Sequence, residues 1–228
     1  MIRIQRRWMT IPAAIAALLI GACASAVRST PVVTRTGAPM SPAELAKADG
    51  GHSPYTRADV TFMSGMIGHH AQAVLMASWA PTHGASESLR ILAARIDVAQ
   101  RDEIQFMQRW LRDRNEMVPD ADPTKPMAGH DMTSMPGMDM GLAPGMLSPA
   151  QMKQLDAARG VEFERRFLTF MIQHHTGALT MVNTLFGSQG AGNELYVFRF
   201  ASDVEADQTT EIDRMQKMLA PITPKDPQ

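Results

Sequence analysis

The chain has 228 residues, with 22 basic and 23 acidic side chains, 19 methionines and a single cysteine. The balance of charge, with no basic stripe interleaved with aromatics, argues against nucleic acid as a partner. One cysteine excludes a disulfide framework, and a thiolate metal site with it.

The N-terminus reads MIRIQRRWMTIPAAIAALLIGACASA, in which Arg3, Arg6 and Arg7 precede an apolar run over residues 11–20. A charged start, an apolar stretch too short to span a bilayer and a small-residue zone predict a secretory signal over residues 1–23. Leu19-Ile20-Gly21-Ala22-Cys23 resembles a lipobox, which would make Cys23 the lipidated first residue of an exported, periplasmic or cell-envelope protein held at a membrane. Ordinary cleavage after Ala24-Ser25-Ala26 is the alternative; the position of the only cysteine favours lipidation. Without the three leader arginines the count is 19 basic against 23 acidic residues, and about 200 residues suit one domain or two small ones.

Residues 24–52, with Pro31, Pro39 and Pro42, read as a flexible tether. Residues 53–114 read as a first helical hairpin. Ser53-Pro54 supplies a cap with proline at the first helical position, and Val60, Met63, Ile67 and Val74 recur at turn-like spacing. Pro81-Thr82-His83-Gly84 breaks the pattern, and a second helix over about residues 86–114 carries the stripe Leu89, Leu92, Ile96, Ile104, Met107 and Leu111. Residues 115–147 read as a methionine-rich linker. Residues 148–220 read as a second hairpin: Ser148-Pro149-Ala150-Gln151 is a capping box, Gly160 divides a short helix from a long one, Asn193 can cap the last helix, and Pro221 ends it. No strand pattern competes, so the fold class is all-α.

The halves repeat. Phe62-Met63-Ser64-Gly65-Met66-Ile67-Gly68-His69-His70 matches Phe167-Leu168-Thr169-Phe170-Met171-Ile172-Gln173-His174-His175 at an offset of 105, and Met76 stands opposite Met181. The second helices match as well, Gln100-x-x-Glu103-Ile104-x-x-Met107 against Gln208-x-x-Glu211-Ile212-x-x-Met215. Two helical hairpins, each half of a four-helix bundle, is the economical architecture.

Positions three and four apart share a helix face, so Met66, His69, His70 and Met76 form one thioether–imidazole column, and Met171, His174, His175 and Met181 form another. If the hairpins pack about a pseudo-twofold axis, the columns can face each other. Thioethers select Cu(I) and the similar Ag(I), and imidazole also serves copper, so the mixed set points to a soft monovalent metal, copper first. A di-iron bundle needs Glu-x-x-His on two helices, and no glutamate stands three residues before any histidine. The plainer alternative is a set of core methionines and hydrogen-bonded core histidines; its weight falls because the pattern occurs twice. Adjacent histidines diverge by about 100°, so one of each pair can be a ligand while the other packs or supports. Asp59 and Glu164, or Glu103 and Glu211, could accept the remaining ring N–H, or be simply solvated or paired carboxylates. The linker offers Met127, His130, Met132, Met135, Met138 and Met140 as auxiliary ligands, or as a spacer. His52 and His83 have no supporting pattern.

With these elements in place, residues 55–219 resemble the family described as domain of unknown function 305. The marks are the paired F-x-x-M-I-x-H-H elements (62–70, 167–175), the paired Q-x-x-E-I-x-x-M elements and Pro136-Gly137-Met138. The resemblance implies a ferritin-like four-helix bundle, often exported, and in some members copper or silver binding through Met/His sites at the eight column positions named above. The expected function is an exported Cu(I)- or Ag(I)-binding protein for sequestration, tolerance or transfer, with a copper exporter or multicopper oxidase as exchange partner. The alternative is a helical bundle of structural or partner-binding role. No nucleophile–base pair, phosphate loop or paired catalytic carboxylates mark it as an enzyme.

Overall fold

In the computed structural model, which describes residues 55–122 and 142–222, every regular element is helical. Helix α1 (Arg57–Ser78) begins at Thr56, where the hydroxyl accepts the Asp59 N–H and the Asp59 carboxylate accepts the Thr56 N–H at 2.6 Å. This reciprocal capping box satisfies two orphan amides and sets the helix start at Arg57; Ser53 and Pro54, where the sequence suggests a start, lie outside the described residues. Helix α2 (Glu87–Asp113) starts from a Ser86 cap. The short α3 (Pro149–Ala157) uses the expected Ser148/Gln151 box, and α4 (Gly160–Gly187) follows it after Gly160 turns the chain at φ +57°. Helix α5 (Leu195–Leu219) is capped by Glu194, not by Asn193: the Glu194 carboxylate accepts the Val197 N–H, while the Asn193 amide donates back to Gly190.

Helices α1 and α2 form one hairpin, α4 and α5 the other, and α1 packs on α4. The all-α architecture of two hairpins is therefore present, with α3 as an extra short element. α1 is the central helix, with 16 of its 22 residues buried, against 9 of 27 in α2 and 6 of 25 in α5. Its small residues Gly65, Ala71, Ala73 and Ala77 let neighbours approach on several sides, which an ordinary one-faced helix does not allow.

The apolar core is divided. One cluster gathers Val60, Phe62, Met63, Met66, Trp110, Val182 and Phe200, with Met181 packed against it. The other gathers Met76, Leu92, Ile96, Phe163, Phe167, Met171 and Met215. Each end is fastened between hairpins. Glu194 accepts from the Trp110 indole (3.1 Å) and the Arg114 guanidinium (3.0 Å) at one end. At the other, His83 Nε2 donates to the Asp156 carbonyl and the Gly160 N–H donates to the His83 carbonyl. His83 is thus a structural staple.

Residues 115–122 leave α2 without regular structure, and the chain is next described at Leu142, on a strap that runs to Ser148. Ala143-Pro144-Gly145-Met146 makes a turn with Gly145 at φ +77°, a conformation glycine supplies at no steric cost. The leader, Cys23, the tether, His52 and the linker positions Met127, His130, Met132, Met135, Met138 and Met140 lie outside the described residues. Among the described residues no helix is long and apolar enough to cross a membrane.

Candidate metal centre

Between the two apolar clusters lies a layer of four imidazoles. His69 and His70 from α1, and His174 and His175 from α4, are all 0% exposed. The two columns run antiparallel, so that Met66 shares a cluster with Met181 and Met76 with Met171. Met66, Met76 and Met171 are fully buried and Met181 is partly so. The eight positions singled out from the sequence are therefore stacked as thioethers, imidazoles, thioethers along the bundle.

The imidazoles fall into two kinds. His69 and His174 lie against each other, ring centroids 3.8 Å apart and planes tilted by 38°, and both are tied to backbone: His69 Nε2 donates to the Pro144 carbonyl (3.1 Å) and His174 Nε2 to the His69 carbonyl (3.0 Å). His70 and His175 face the outer helices. His175 Nε2 donates to Glu211 at 2.6 Å. Glu103 stands equally close to His70 Nε2, 2.6 Å, but off the N–H direction, so that contact is electrostatic without a straight hydrogen bond.

Burial, and next the nearby His70, pushes the His69 imidazole down to about 3, against the opposing pull of the Pro144 carbonyl. Burial, then His69, holds His174 well below the ordinary imidazole range. Both rings are neutral at pH 7, and a neutral ring that donates from Nε2 has its lone pair on Nδ1. The Nδ1 atoms of all four histidines are buried with no hydrogen-bond partner. Such orphans are uncommon in native cores, and a set of four beside thioethers matches the donor set of a soft cation. Among the described residues no three His, Cys, Asp or Glu side chains already stand in metal-holding geometry, so a bound ion would use thioethers or draw the rings closer.

Of the four carboxylates considered from the sequence, Glu103 and Glu211 meet histidines. Asp59 instead closes the α1 cap and accepts the Gly192 N–H at 2.7 Å, and Glu164 accepts from Ser86, so neither reaches a ring. Sequence reasoning missed three participants. Gln72 clamps the strap by exchanging two hydrogen bonds with the Leu147 backbone, 2.6 and 3.0 Å. Gly177 lets the strap touch α4: a Cβ there would stand 1.9 Å from the Pro144 carbonyl oxygen. The third is the buried pair Gln100 and Gln208. The Gln-x-x-Glu repeat was the available signal for that pair; the Pro144-Gly145 turn was the signal for the strap.

On the side away from the strap, α2 and α5 bound a cleft of about 250 Å³ lined by Arg95, Gln100, Glu103, Asp207, Thr210 and Glu211. Partial burial, then Glu103, Glu211 and Asp203, raise the Asp207 carboxyl above its usual range, a sign of concentrated negative charge.

Comparison with known proteins agrees with this architecture. The family model for the domain of unknown function DUF305 matches residues 59–219. A DUF305 fragment from Deinococcus radiodurans is 27% identical, with a TM-score of 0.58 over 74% of this chain and 99% of the other. A DUF305 protein from Streptomyces coelicolor, described as secreted, is 29% identical, with a TM-score of 0.59 over 75% and 97%. CopM in its Cu(II)-bound form is 25% identical, with a TM-score of 0.54 over 72% and 97%. No curated protein matches the chain.

Proposed function

This chain belongs to the DUF305 family, and on that premise we propose that it binds Cu(I), or the similar Ag(I), in the imidazole layer and its flanking methionines. The observation that carries this reading is the set of four buried, unpartnered Nδ1 atoms between paired methionine layers. An unsatisfied buried polar atom costs about 1–3 kcal/mol. Four in one layer are hard to reconcile with a purely structural core and fit a set of lone pairs placed to hold a cation. The solved Cu(II) form of CopM supports metal binding in a related bundle.

Neutral thioether and imidazole donors hold the ion without thiolates, which suits an exported, oxidising setting and permits exchange with a copper exporter or multicopper oxidase. The leader and Cys23 make the protein a lipid-anchored envelope component in this reading, and Met127, His130, Met132, Met135, Met138 and Met140 form an auxiliary or delivery arm. The role is sequestration, tolerance or transfer, not catalysis.

The test is titration with Cu(I) against a coloured chelator. Met66, Met76, Met171 and Met181 are changed together to leucine, a swap that conserves volume and removes the thioether. A second variant changes His69, His70, His174 and His175 to alanine. Tight binding by the parent chain, weakened in folded variants, is the expected result. Equal binding in all three moves the site to the linker, and no binding by any leaves the bundle as a structural or partner-binding module.

A further inference from the structure

The imidazole layer is approached from two sides, and they differ. On the strap side, backbone is pressed against backbone. Gly145 and Gly177 leave no room for a Cβ on either, Gln72 pins Leu147 through two hydrogen bonds, and the Pro144 carbonyl covers His69 Nε2. A cation arriving there meets a sealed seam. On the far side, α2 and α5 pack mainly on their own hairpin partners and stand apart over the cleft.

The floor of that cleft leads to the layer, because Glu103 and Glu211, which line it, are the groups touching His70 and His175. Their side chains are 21% and 24% exposed, so each reaches from solvent to a fully buried ring. Asp207 adds a third carboxylate at the mouth, against one lining cation, Arg95. Below the rim, Gln100 lines the cleft at 3% exposure with an unpartnered Oε1, and its repeat counterpart Gln208, also 3% exposed, has neither amide atom paired. Buried amides without partners need something to bind, and an amide oxygen is a fit replacement for a water on a monovalent cation.

We propose that the cleft between α2 and α5 is the port through which the metal cation enters and leaves the imidazole layer. Glu103, Asp207 and Glu211 concentrate the cation, the Gln100 amide replaces part of its hydration, and His70 and His175 receive it. This rests on the metal-binding reading above. A charged mouth with low-dielectric walls raises on-rates by about 10- to 1,000-fold, and a cation that leaves crosses the same mouth. The charge acts on passage in both directions, so it alters rates more than affinity.

The experiment measures Ag(I) uptake and release by the full chain in stopped flow, at low and high salt, with affinity measured separately by competition. Asp207→Lys reverses charge at the mouth; Asp213→Lys makes the same change on α5 at the exposed partner of Lys217, outside the cleft. The expected result is uptake and release both slowed about tenfold in D207K at low salt, with affinity held within about twofold and D213K near the parent. Equal rates in D207K and parent, or equal slowing in D207K and D213K, would overturn the port. Absence of uptake by the parent chain would overturn the metal-binding reading along with it.

Discussion

His69 sets the clearest expectation for a single side chain. In the unfolded chain its imidazole titrates near 6.5; in the bundle burial holds it at about 3. Between those values the unfolded chain takes up a proton that the bundle refuses, so stability is full above about pH 6.5 and falls as the pH drops toward 3. His174 is shifted the same way. The metal-free protein should lose about 1.4 kcal/mol per pH unit for each such ring. Urea midpoints at pH 7 and pH 5 check this, and coincident midpoints would mean the rings are not desolvated. Gly177 gives a steric counterpart. Gly177→Ala drives a methyl into the Pro144 carbonyl and should cost about 1–3 kcal/mol, whereas Gly187→Ala, with open space around it, should be neutral or mildly stabilising. Thermal melts of the two variants separate crowding from a general effect of removing glycine.

At the scale of elements, the hairpins are fastened more firmly at one end than surface charge alone could achieve. Glu194 caps α5, accepts from Trp110 and pairs with Arg114, and the two charged side chains are only 4% and 10% exposed. Glu194→Gln leaves a buried guanidinium uncompensated and should cost about 3 kcal/mol. Removing the exposed Arg57–Glu116 pair should cost less than about 1 kcal/mol. Chemical denaturation of both variants tests the contrast. The helices themselves were legible because their apolar spacing, the Ser148 box and the Gly160 break are local signals. So were the columns, since helical period alone puts Met66, His69 and His70 on one face. The Pro144-Gly145 turn was a local signal, but where the strap docks was not legible, because it is held by single residues on different helices: Gln72 on α1, Gly177 and Gln173 on α4. Thr56 was a readable miss, since Thr56-x-x-Asp59 is itself a capping signature.

For the whole molecule, the two halves match in sequence but not in surroundings. α1 is enclosed where its repeat partner α4 is half open, and Gln72 stands where α4 has Gly177, which is what admits one strap across both. A ligand held only by the assembled layer stabilises the whole bundle. At a free Ag(I) concentration 100 times Kd the gain is about 2.7 kcal/mol, or about 5–11 °C in Tm for a domain of this size. Calorimetry should show that rise in the parent chain and none in the variant lacking the four layer histidines.

The polar layer also works as an index mark along the bundle. Two hairpins joined only through leucine, phenylalanine and methionine could slide past each other by one helical turn, about 5.4 Å, with little change in apolar contact. Here such a slide would carry His69 and His174 off their carbonyls and into a thioether layer. The same four rings that weaken the metal-free core therefore fix the axial register in which the two halves can meet.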